Sequence, residues 1–125
     1  MNKIIRIHTD LKVYQLSFEA GMDVFELSKR FPNEEKYSLT DQIRRSSRSV
    51  SSNIAEAWRK RRYPKSFISK LSDSEGEAAE TQVWLNYALA CKYIDTEKHD
   101  NLYDKYDHII SMIVKMIVNP NDWAL

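Results

Sequence analysis

Apolar residues return every three or four positions along most of this chain, the spacing of helices that each carry an apolar face. Between residues 11 and 31, Leu11, Tyr14, Phe18, Met22 and Phe25 form one stripe, and Val13, Leu16, Ala20, Val24, Leu27 and Phe31 form a second. Together they predict a helix over 11–31 with a wide apolar arc, stopped by Pro32 and Asn33. Gly21 is expected to admit a close helix contact. A second helix is predicted over 39–61, with Ser38 as its cap and Asp41 in the position of a capping-box acid. Its seam of Leu39, Ile43, Ser46, Ser47, Val50, Ile54, Ala57 and Trp58 is rich in small residues, so a neighbouring helix is expected to lie close. Tyr63-Pro64 ends it, because the residue before proline is pushed out of helical geometry.

The third helix, over 65–93, carries Phe67, Leu71, Ser74, Ala78, Thr81, Leu85 and Leu89 at steps of three and four. Residues 83–91 are apolar around most of the circumference, and Cys91 is expected as a packed core thiol. Thr96 is the expected cap of a fourth helix over 97–118, with Leu102, Tyr103, Tyr106, Ile109, Ile110, Ile113, Met116 and Ile117 on its apolar side and Asn119-Pro120 as its stop. Only a weak alternation at Ile4, Ile5 and Ile7 competes, as an N-terminal arm. The pattern therefore predicts an all-α, antiparallel up-and-down four-helix bundle occupying residues 1–125 as one domain. Helices one, three and four carry more apolar circumference than an isolated bundle hides, with Trp84, Tyr87, Met112 and Val114 among the surplus. Covering a further roughly 600–800 Å² per subunit, at about 25 cal/mol per Å², favours self-association over a compact monomer.

Charge changes this picture only locally. Charged residues are 30% of the chain, yet the formal net charge is +1, so bulk electrostatics makes no case for nucleic acid. Between residues 41 and 65, however, eight basic residues face only Asp41 and Glu56, a local net charge of +6. Arg59, Lys60, Arg61, Arg62 and Lys65 at the end of helix two are the candidate RNA- or DNA-binding residues, with Trp58 and Tyr63 near enough to stack on bases. The competing reading is a protein-interaction or assembly scaffold whose arginines are consumed by salt bridges. Arg44, Arg45 and Arg48 are expected in that structural role, paired with the acidic run Asp73, Glu75, Glu77 and Glu80 of helix three. Asn53 and Glu56 are expected to fix helix register through buried hydrogen bonds.

Catalysis and metal binding find little material. His8, His99 and His108 are not preceded by the glutamates of a Glu-x-x-His di-metal site, and no phosphate loop, zinc spacing or nucleophile motif occurs. No catalytic residue, cofactor or metal is expected, and the chain reads as non-enzymatic. One cysteine, no signal-like start and no apolar run near 20 residues point to a soluble cytoplasmic protein without a membrane partner.

One long phrase carries a family resemblance. It runs through Phe31, Pro32, Glu35, Tyr37, Leu39, Gln42, Arg44, Arg45, Ser46, Ser47, Ser49, Val50, Asn53, Ile54, Ala55 and Glu56, and a second stretch holds Ser74, Glu77, Glu80, Thr81 and Gln82. These residues resemble the 23S rRNA intervening-sequence proteins, a likeness covering roughly residues 8–118. The resemblance implies a four-helix bundle that commonly assembles as a ring-shaped homopentamer. That family is also similar to accessory variability proteins of diversity-generating retroelements, basic pentamers that bind nucleic acid and a reverse transcriptase. Two departures fall near the helix two–three turn: Ala57 stands where the family has glycine, and the Glu56–Phe67 spacing is one residue longer.

Overall fold

The computed structural model describes residues 4–125; the first three residues of the N-terminal arm lie outside them. Four helices follow in order: α1 (Lys12–Ser28), α2 (Leu39–Arg59), α3 (Pro64–Ala90) and α4 (Thr96–Val118). Short 3₁₀ turns occupy His8–Asp10, Asn33–Glu35 and Pro120–Asp122, and no strand occurs among the described residues. Each helix packs on its neighbour in sequence, α4 closes against α1, and the diagonal pairs stay apart. The chain is an all-α four-helix bundle.

Helix ends depart from the hydrophobic pattern where backbone chemistry intervenes. The α1 helix stops at Ser28, although Phe31 remains buried, because Pro32 disfavours helical geometry at the residue before it. Ser38 does not cap α2 with Asp41. Its hydroxyl instead donates to Glu35 Oε1, which also accepts the Leu39 N–H at 3.3 Å. At α4 the cap is Asp95, not Thr96, accepting from the Lys98 N–H at 2.8 Å. The α3 helix ends at Ala90, three residues short of the sequence pattern, because Lys92 adopts a left-handed φ of 65°. Its N–H bonds to Leu89 O, and that of Tyr93 to Ala88 O, so the last carbonyls are satisfied. This turn also swings Cys91 outward: it is exposed, not a core thiol.

Ile43, Val50 and Ile54 of α2, Leu71 and Leu85 of α3, and Ile109 and Ile113 of α4 form the centre of the core. Each such side chain contributes roughly 1.5–3 kcal/mol on leaving water. Small residues bring α2 against both neighbours. Gly21 of α1 lies so near that a Cβ there would sit 3.7 Å from Ser47 O. Across the α2–α3 seam, Ser74 Oγ donates to Val50 O at 2.7 Å and Thr81 Oγ1 to Ser46 Oγ at 2.8 Å, both buried. These buried hydroxyls tie the register of the two helices, to which Glu56 adds a more exposed ion pair with Lys70 of α3. Asn53 only donates back to Ser49 O of its own helix, and Glu56 is exposed.

The wide apolar arcs do not all turn inward. The Val13–Ala20–Val24–Leu27 stripe of α1 is buried, whereas Phe18 and Met22 of the other stripe are 53% and 47% exposed. On α3, Tyr87 is 57% exposed and Trp84 half-buried; on α4, Val114 is exposed and Met112 half-buried.

Candidate nucleic-acid interface

The α2–α3 connection is built from the chain's densest run of cations. After Ala57, fully buried, α2 unwinds at Lys60, whose N–H bonds to Ala57 O at 2.9 Å. The Tyr63 N–H then closes the turn on Lys60 O at 2.9 Å, and Pro64 takes the first position of α3. Proline fits there because that position needs no donated hydrogen bond. Tyr63 is extended, as a residue before proline must be, so its ring projects from the turn and is 64% exposed.

Arg59, Lys60, Arg62 and Lys65 are exposed around this turn. None meets a carboxylate within 4.0 Å among the described residues. Arg59 in the last turn of α2 also complements the negative end of the helix dipole, which accounts for a cation but not for four. Arg61 differs. Its guanidinium carbon lies 3.3 Å from the Trp58 ring centroid and its Nε donates to Trp58 O at 2.8 Å. Burial, and then the neighbouring Arg59 charge, lowers its pKa below the usual guanidinium range. Arg61 is therefore a lid on Trp58 and does not join the free cations. Trp58 itself is buried, with Trp123 packed edge-on at 6.3 Å, so it cannot stack on a base.

Beside the turn, Lys60, Lys65, Ser66, Ser69 and Lys70 line a cleft of about 220 Å³. Lys70 was not singled out by sequence pattern, since it reads as an ordinary polar-face residue of α3. Its ammonium lies 2.9 Å from Glu56 and 4.0 Å from Asp73, and the Glu56 hydrogen bond is the first cause raising its pKa.

Among the described residues of one chain, the α2 arginines do not pair with the α3 carboxylates. Arg44 and Arg48 lie on the α1 side of α2, with guanidinium carbons 4.9 and 5.9 Å from the Phe25 ring centroid. Arg44 Nε also donates to Ser28 Oγ at 2.8 Å. Arg45 pairs within its own helix, 3.3 Å from Asp41. The α2–α3 ion pair that does form, Glu56–Lys70, has the opposite polarity. Glu77 and Glu80 consequently have no cationic partner among the described residues. Burial, followed by the Glu80 and Asp73 charges, pushes the Glu77 pKa up.

Other chemistry is sparse. Among the described residues, no group of three or more His, Cys, Asp or Glu side chains converges on a possible metal position. No described helix is long and apolar enough to cross a membrane. At the opposite end of α2, Glu35 belongs to the resemblance phrase, but no pattern in the sequence links it to Tyr93. The Tyr93 hydroxyl donates to Glu35 Oε2 at 2.9 Å, and their separation of 58 positions leaves no local signal of the contact.

A family model described as 23S rRNA-intervening sequence protein matches residues 9–115. A solved structure of a Bacteroides thetaiotaomicron protein of unknown function, from the S23 ribosomal protein family, is similar with a TM-score of 0.77 and 30% identity. The match covers 84% of this chain and 97% of that one. No curated protein matches in sequence.

Proposed function

We propose, for a chain that belongs to the 23S rRNA-intervening sequence protein family, a non-enzymatic role as a self-associating bundle that binds RNA or DNA through the α2–α3 turn. One observation carries the nucleic-acid part: Arg59, Lys60, Arg62 and Lys65 crowd one turn with no carboxylate within 4.0 Å among the described residues. Unpaired cations on a small surface attract phosphates by releasing counterions from the nucleic acid. Repetition of that surface around a ring of subunits multiplies the effect, since each added turn acts at high effective concentration. A cytoplasmic location belongs to the same reading.

Self-association is supported by the apolar side chains left outside the bundle, Phe18, Met22, Val83 and Tyr87 among them. The same residues favour the second reading, a scaffold that binds protein partners and no nucleic acid. Arg44, Arg45 and Arg48 are engaged within one bundle and are not assigned to phosphates.

Fluorescence anisotropy with RNA and DNA oligonucleotides over a salt titration tests the nucleic-acid part. Binding that weakens steeply with salt, and falls about tenfold or more in the R59Q/R62Q/K65Q variant, is expected. Absence of binding at low salt, or an unchanged affinity in that variant, removes it and leaves the scaffold. Light scattering tests self-association: a mass near five times the 14.8 kDa chain is expected, and a clean monomer contradicts it.

A further inference from the structure

We propose that the α2–α3 turn takes an unpaired nucleotide, with its base stacked on Tyr63 and its phosphate in the adjoining lysine cleft. The inference rests on the nucleic-acid reading above and narrows it from any polyanion to a single strand, whether RNA or DNA.

Three observations converge. Tyr63 is 64% exposed as a residue, and its ring stacks on no aromatic or cationic group among the described residues. Trp58, the other aromatic of this region, is closed off beneath Arg61. The backbone holding Tyr63 is already fixed on both sides. Its N–H bonds to Lys60 O, its carbonyl accepts the Phe67 N–H at 2.9 Å, and Pro64 locks the next residue. A ring presented on such a support loses little conformational freedom when a ligand covers it.

The cleft supplies the second half of the ligand. Lys60 precedes Tyr63 and Lys65 follows it, and both reach the cleft that Lys70, Ser66 and Ser69 complete. The Lys70 charge is largely met by Glu56, so the cleft offers Lys60 and Lys65 as its unneutralised ammoniums, with two hydroxyls as hydrogen-bond donors. A flat π-face at Tyr63, with anion-site residues Lys60 and Lys65 three positions before it and two after it, matches a nucleotide whose base is unstacked. A duplex presents phosphates to the same lysines but keeps its base faces covered, so the tyrosine contributes nothing to its binding.

The experiment compares three fluorescein-labelled probes with equal numbers of phosphates: an oligouridylate, an oligothymidylate and a blunt RNA duplex. Tyr63→Ala is expected to weaken both single strands about tenfold and the duplex less than about twofold, whereas Tyr63→Phe keeps single-strand affinity. Lys65→Gln is expected to weaken all three and to lower the single-strand salt slope by about 0.7. Both residues are exposed, and circular dichroism establishes that each variant is folded. If Tyr63→Ala leaves the single strands unchanged, or weakens the duplex equally, the stacking site is overturned while the cationic surface stands. If Lys65→Gln changes nothing, the cleft is not the phosphate site. If the unaltered protein binds none of the probes at low salt, both this inference and the reading beneath it fall.

Discussion

The two ends of α2 use charge in opposite ways. At its start, one carboxylate gathers three donors: Glu35 accepts the Ser38 hydroxyl, the Leu39 N–H and the Tyr93 hydroxyl. At its finish, about 30 Å away along a 21-residue helix, four cations surround a turn and none finds a carboxylate among the described residues. The first arrangement joins the α1–α2 connection to the end of α3, and Phe31 packs on Tyr93 at 5.7 Å beneath it. Its charge is spent inside the molecule. The second leaves like charges close together, which costs stability, and their attraction is available to an outside anion. A charged side chain is therefore informative through its partners: the carboxylate is satisfied within the molecule, and the cations are not.

The largest expected effect separates the ends by binding. Replacing Arg59, Lys60, Arg62 and Lys65 with glutamine together should reduce nucleic-acid affinity on the order of 100-fold at low salt. Neutralising Lys36 and Lys92 at the other end should change it by less than about threefold. Anisotropy on both variants checks this, and equal losses would erase the distinction between the ends.

A smaller effect separates them by stability. Glu35→Gln should cost about 1 kcal/mol in urea unfolding after allowance for solvent screening, with no change in nucleic-acid affinity. The pH dependence follows from the sign of the shift. Hydrogen bonds from Ser38 and then Tyr93 hold the Glu35 pKa below 4.5. Its contribution is thus present above pH 4.5 and is lost as pH falls below that value. The same bond to Glu35 pushes Tyr93 up from 10.0 to about 12. Its contribution is complete below pH 10.0 and disappears as pH approaches about 12. Stability profiles should lose the acidic part of this dependence in Glu35→Gln and the alkaline part in Tyr93→Phe.

The smallest effect lies beside Tyr93. Lys92 holds a left-handed φ of 65°, a conformation that suits glycine. Lys92→Gly should therefore stabilise the protein by about 0.5–1 kcal/mol, measured by urea unfolding. Loss of stability would mean that the lysine side chain contributes more than its backbone costs.

Much of the architecture was legible in the sequence because helical burial is periodic. The seam Leu39, Ile43, Ser46, Ser47, Val50, Ile54, Ala57 and Trp58 is buried throughout. Helix ends were less legible: Phe31 and Cys91 continue apolar stripes that Pro32 and the Lys92 turn interrupt. Caps were misread where two candidates stand side by side, as with Asp95 and Thr96. At the candidate interface, sequence clustering brought out Arg59, Lys60, Arg61, Arg62 and Lys65 as one group. Only packing divided them, by laying Arg61 on Trp58 and leaving the other four in solvent.

By itself, the order of residues determined four amphipathic helices, the proline-marked turn between α2 and α3, and the concentration of cations around it. Those are properties of near neighbours along the chain, where spacing and backbone restriction act directly. The tertiary structure decided that Arg44 and Arg48 lie on Phe25, that Glu35 meets Tyr93, and that Tyr63 rather than Trp58 faces outward. Each depends on how helices are rotated against one another. A rotation moves a side chain from partner to solvent without altering the periodicity of the sequence.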